Sequence, residues 1–76
     1  DADLEMRART LLCSHLAERD RPAAEAEVAA AEPLLPRLRR KGLRAGMLGC
    51  QGEILEYVGD NVQAMSFYQQ AVGVAG

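Results

Sequence analysis

The stretch from residue 46 to residue 71 constrains the fold most, because its small and apolar residues recur at helical spacing. It predicts one helix, a tight turn at Gly59-Asp60, and a second helix lying back on the first. Gly59 suits a left-handed helix end, and Asp60 with Gln63 has the form of a capping box. The basic unit of the fold is therefore expected to be an antiparallel helix pair.

A related pattern lies forty residues earlier in the chain, where Asp20 aligns with Asp60. The other aligned pairs are Ala24 with Ala64, Val28 with Tyr68, and Ala31 with Ala71. Internal repetition at a period of roughly 20 to 50 residues is typical of solenoids built of stacked units. We therefore expect an all-α fold of two stacked antiparallel helix-turn-helix repeats in a single domain, residues 1–76.

The predicted helices cover about residues 3–18, 21–41, 43–58 and 61–74. They give a first repeat of about residues 5–41 and a second of about residues 43–76. This assignment suits a chain with one Phe, two Tyr and no Trp, since closely packed helices need few large core side chains.

Pro33 and Pro36 interrupt the second predicted helix, and each removes a backbone hydrogen bond. The helix either kinks and continues to about residue 41, or ends near Ala31 with a short helix restarting at Pro33. We favour the kinked continuation, because Leu35 and Leu38 keep the phase of the preceding apolar residues.

The first helix carries one apolar stripe of helical period, which predicts the face that packs into the core. Its members are Leu4, Ala8, Leu11, Leu12, His15 and Leu16. His15 has no partner spaced to make it a catalytic base, so a packed or half-buried histidine is the expectation.

Charge and cysteine content narrow the function classes. A net charge of −2 argues against general nucleic-acid binding. Cys13 and Cys50 lack C-x-x-C spacing, so we expect reduced cysteines in a cytoplasmic protein. No apolar run approaches the length of a membrane helix. We expect no catalytic residues, no metal and no cofactor, and the chain reads as part of a longer protein.

The second half of the chain resembles a tetratricopeptide repeat. Its matching residues are Gly52, Gly59, Ala64, Tyr68 and Ala71, and in the first half Ala24, Val28, Ala31 and Pro36 fit. The forty-residue spacing looks like the extended repeats found in bacterial signalling and transcription-regulatory proteins. The resemblance implies a protein or peptide partner on the concave face, or self-association, without catalysis.

In such a superhelix the first helices of the two repeats would line the binding groove. The residues expected there are Arg9, Cys13, Gly49 and Glu53. A basic cluster between Arg37 and Arg44, with Arg40 and Lys41 at its centre, is a second candidate, for an acidic peptide or an anion.

Three readings of function follow. The first is a protein–protein interaction or oligomerisation module. The second is a four-helix bundle that dimerises as a structural element, and the third is a small-ligand sensor that uses the basic cluster. Tyr57, Met65 and Phe67 lie off the predicted inner row of the second repeat, so their exposure would mark an interface.

Overall fold

The computed structural model describes residues 1–75, and within them the chain forms four α-helices and no strand. The helices are α1 (Ala2–Leu16), α2 (Arg21–Ala31), α3 (Arg44–Tyr57) and α4 (Asn61–Ala75). Two short 3₁₀ segments, Glu32–Arg37 and Lys41–Leu43, connect α2 to α3. The prediction of an all-α fold built of helix pairs is confirmed.

An aspartate begins three of the helices in the same way. The carboxylates of Asp1, Asp20 and Asp60 each accept a hydrogen bond from the backbone N–H three residues later, at 3.1 to 3.2 Å. Asp20 directly precedes α2 and Asp60 directly precedes α4, so residues forty positions apart occupy corresponding places in the two helix pairs. Gly59 has the positive φ, 87°, expected of a left-handed helix end.

Only half of the predicted capping box forms at α4. The N–H of Asp60 donates to the carbonyl of Leu55 at 2.9 Å. That backbone bond closes the end of α3 and occupies the donor that the Gln63 side chain would have satisfied.

The second helix does not continue to residue 41, so the kinked continuation is wrong and the alternative holds. α2 ends at Ala31, and both prolines lie in the following 3₁₀ segment. Pro33 and Pro36 together remove two donors from consecutive turns, which α-helical geometry tolerates poorly. Leu34 and Leu38, both buried, anchor the segment to the core.

Each helix pair packs internally, α1 on α2 and α3 on α4, and the pairs meet mainly where α1 crosses α3. Glycines allow two close approaches. A Cβ at Gly46 would lie 2.9 Å from the Thr10 methyl, and one at Gly52 would lie 2.5 Å from the Tyr68 ring. The Cβ direction of Gly49 meets nothing within 4 Å, so packing does not require a glycine there.

The repeat-packing residues occupy three environments. Ala24, Ala31, Gly52 and Ala64 are buried, Val28, Tyr68 and Ala71 are half-buried, and Gly59 is exposed at its turn.

The predicted core face of the first helix is wrong for five of its six residues, and only Leu16 packs half-buried against the core. We use the name α1 stripe for Leu4, Ala8, Leu11, Leu12 and His15, all of which are exposed. The buried face of α1 carries Met6 and Cys13 instead, each 0% exposed. The small Cys13 side chain lets α1 approach α3 closely, whereas the leucines of the stripe would hold the two helices apart.

Candidate functional site

The groove predicted between the first helices of the two pairs is occupied by internal contacts. The Arg9 guanidinium donates to the carboxylates of Glu5 at 2.9 Å and Glu27 at 3.0 Å, and these bonds raise its pKa above the ordinary value. Cys13 is fully buried. The hydroxyl of Ser14 donates to Glu53 across the same helix contact at 3.5 Å. The bonds to Glu27 and Glu53 hold α1 to α2 and α3, whereas the bond to Glu5 lies within α1.

Cys13 and Cys50 form a disulfide, so the expectation of reduced cysteines is wrong. The bond joins α1 to α3 across a sequence separation of 37 residues, and both side chains are 0% exposed. Two cysteines separated by nearly one repeat lie on equivalent helices of adjacent units. Stacking the repeats would have brought them together, although their spacing alone carries no disulfide signature.

The basic cluster lies on the connection between α2 and α3. Both carboxylate oxygens of Asp3 accept backbone N–H bonds from this connection, from Arg39 at 2.9 Å and Arg40 at 3.2 Å. The Lys41 ammonium lies 3.5 Å from the Pro36 carbonyl. The backbone of the cluster is therefore fixed to the start of α1, while the side chains of Arg40 and Lys41 stay exposed.

The structure also has a cleft that the sequence did not indicate. It lies between α2 and α4, with α3 as its floor, and comprises two adjoining hollows of about 180 and 380 Å3. Val28, Glu32, Gln51 and Phe67 line both hollows. The floor is largely apolar, with Met47, Leu48, Ile54 and Leu55. We call this feature the cleft.

Polar groups border the cleft unevenly. The α2 wall, in which we include the start of the following 3₁₀ segment, carries the carboxylates of Glu25 and Glu32, and the α4 wall carries the amides of Gln63 and Gln70. Glu25 forms a 3.4 Å ion pair with Arg21, in which both side chains are about half exposed (52% and 51%). Within residues 1–75, Glu32 takes part in no ion pair.

A tyrosine on α4 joins the two helices of the second pair by a hydrogen bond and by packing. The Tyr68 hydroxyl donates to the Glu56 carboxylate at 2.5 Å, and its ring covers Gly52. This hydrogen bond, followed by burial and the charge of Glu56, raises the pKa of Tyr68 to about 12. The pKa of Tyr57 is also raised, mainly by the charge of Glu18.

The three residues predicted to lie off the inner row of the second repeat differ in exposure. Tyr57 and Met65 are 57% and 56% exposed, whereas Phe67 is half-buried along the cleft. His15 is exposed on the α1 stripe, so the expectation of a packed histidine is wrong. In the part of the chain that the structure describes, His, Cys, Asp and Glu form no group suited to a metal ion. No described helix is long and apolar enough to span a membrane.

Comparison with known proteins gives no match to a family model, to a curated protein or to a solved structure. The tetratricopeptide resemblance therefore stays a prediction that depends on the residues quoted for it.

Proposed function

We propose that this chain is a tetratricopeptide-like module for protein–protein interaction or oligomerisation. The observation that supports this most is the exposed α1 stripe, in which Leu4 is 69% exposed, Leu11 72% and Leu12 49%. Large apolar side chains on one helix face favour burial against another protein surface.

The alignment of the two helix pairs indicates which kind of surface would pack on the α1 stripe. At the forty-residue offset, Ala8 and Leu11 of α1 correspond to Leu48 and Gln51 of α3. In α3 this face borders α2 across the cleft. The α1 stripe therefore corresponds to the face of α3 that borders α2. In α3 that face has the second helix of the preceding pair beside it.

The opposite end of the stack carries the matching surface. We use the name α4 edge for Met65, Tyr68 and Val72, which correspond to Glu25 and Val28 of α2 and to Glu32 directly after it. The two positions that are glutamates in the first pair are thus apolar in α4, and Val72 is 72% exposed. Self-association is proposed to place the α4 edge of one copy on the α1 stripe of the next, a head-to-tail contact.

Sedimentation equilibrium tests this proposal. The native chain is expected to associate in a concentration-dependent way, and Leu11→Glu is expected to remain monomeric, because it puts a charge into the contact. Ala26→Glu, at an exposed position of α2 away from both end faces, is the matched control and should associate like the native chain. A native chain that stays monomeric at every concentration would refute self-association.

The alternative of a structural dimerising bundle predicts a different endpoint. A closed symmetric dimer stops at two copies and shields Tyr57, whereas a head-to-tail contact continues with rising concentration. Membership of a larger signalling or transcription-regulatory protein depends on the resemblance, and a bacterial origin depends on the composition rich in Ala, Arg and Gly.

A cytoplasmic location was expected because the cysteines were expected to be reduced, and the disulfide removes that reason. Disulfides persist in oxidising compartments and are rare in the cytosol. A cytoplasmic form of this module would therefore carry free thiols in the cell, and alkylation of freshly lysed cells before and after reduction measures whether it does.

A further inference from the structure

The cleft is a second interaction surface, separate from the α1 stripe and the α4 edge proposed for self-association. We propose that it binds a basic amphipathic helix of a partner protein. The proposal goes beyond self-association, and the cleft lining includes neither cysteine of the disulfide.

The shape and lining of the cleft suit a helix. Its floor of α3 side chains is apolar apart from Gln51 and, at one end, Arg44, and Val28 and Phe67 extend the apolar surface up the two walls. Along α2 and the following 3₁₀ segment the lining runs from Glu25 to Leu35, roughly 15 Å at helical rise. A partner helix of about three turns would cover that length.

The spacing of the carboxylates sets the chemistry of the partner. Glu25 lies in α2, and Glu32 is the first residue of the 3₁₀ segment that follows it. Both line the same hollow, and a seven-residue separation along a helical backbone places them roughly 10 Å apart. Lysines or arginines seven residues apart on a bound helix would meet both, with apolar side chains between them directed at the floor. Glu25 can change partner readily, because exposed ion pairs such as the one with Arg21 contribute little.

The rest of the border agrees with this occupant. The amides of Gln63 and Gln70 on the facing wall can bond polar groups of either kind without opposing a positive charge. Arg44 at one end of the cleft suits the carboxyl end of a bound helix, where the helix dipole is negative.

Two other occupants fit less well. Nucleic acid would bring phosphates against the carboxylates of the α2 wall. The basic cluster of a second copy lies on 3₁₀ and extended backbone, so it does not present charges at the required helical spacing.

Titration with two designed peptides of about twelve residues tests the proposal. Both carry leucines at positions i, i+3, i+4 and i+7 of one face. One places lysines on both flanks of that face at a seven-residue spacing, and the other places glutamates there. The lysine peptide is expected to bind at least about tenfold more tightly than the glutamate peptide. The reason is that its lysines attract Glu25 and Glu32, whereas the glutamates of the other peptide repel them.

The Glu25→Gln/Glu32→Gln variant is expected to weaken the lysine peptide about tenfold and to reduce the salt dependence of its binding. Glu18→Gln, which removes a carboxylate that does not line the cleft, should bind like the native chain. NMR shift changes should centre on Val28, Gln51 and Phe67.

Three results would overturn the proposal: equal affinity for the two peptides, no binding of either, or shift changes confined to the α1 stripe. None of them would alter the sedimentation result for self-association, so the two proposals fail independently.

Discussion

Removal of the Cys13–Cys50 bond should cost this chain a large part of its stability. A cross-link restricts the unfolded chain, and for a separation of 37 residues the loop-closure relation gives about 4 kcal/mol. A domain of 76 residues is expected to have a total free energy of unfolding of about 4 to 11 kcal/mol. The bond therefore contributes a third or more of the total.

Chemical denaturation of the native chain, Cys13→Ala, Cys50→Ala and the double variant measures this contribution. Each single variant already eliminates the cross-link, so each should lose nearly as much as the double variant. The expected loss corresponds to a fall in melting temperature on the order of 15 to 30 °C. The reduced native chain is the control for the sulfur packing lost with alanine.

Two results would refute this reasoning. One is a double variant within about 1 kcal/mol of the oxidised native chain, and the other is single losses that add to give the double loss. Because both sulfurs are 0% exposed, reduction of the folded chain should also be slow and should accelerate in denaturant.

Three further predictions concern the second helix pair. Gly52→Ala should lower the free energy of unfolding by about 1 to 3 kcal/mol, because the added methyl meets the Tyr68 ring. Gly49→Ala, in open space on the same helix, should raise it by up to about 1 kcal/mol. Thermal melts compare the two variants. Asp60→Ala should cost about 1 kcal/mol through the lost cap of α4, measured by denaturation. In a chain whose other tyrosine is replaced by phenylalanine, tyrosinate absorbance should give Tyr68 a pKa of about 12, and Glu56→Gln should lower it. Since the folded pKa is raised, the stabilisation by this hydrogen bond is complete below the ordinary pKa of 10 and is lost as pH rises toward 12.

Local signals predicted the elements well because each depends on few neighbours. Asp20 and Asp60 mark helix starts, and Gly59 marks a turn that needs positive φ. Repetition at forty residues predicted the pairing of helices. The end of α2 was ambiguous, because the phase of Leu35 and Leu38 opposed the effect of two prolines.

The parts that sequence did not predict depend on how helices contact one another. Periodicity identifies an apolar face but does not say whether the core or another molecule covers it, and in α1 the leucine stripe is exposed while Met6 and Cys13 are buried. The disulfide and the cleft arise in the same way, from residues far apart in sequence that meet only when the pairs stack.

A mixing experiment tests the proposed head-to-tail contact most directly. Leu11→Glu disables the α1 stripe and Val72→Glu disables the α4 edge, so each variant alone should sediment as a monomer. An equimolar mixture should form a one-to-one dimer, through the intact edge of the first and the intact stripe of the second. A mixture that remains monomeric, or a Val72→Glu variant that associates as the native chain does, would contradict the contact.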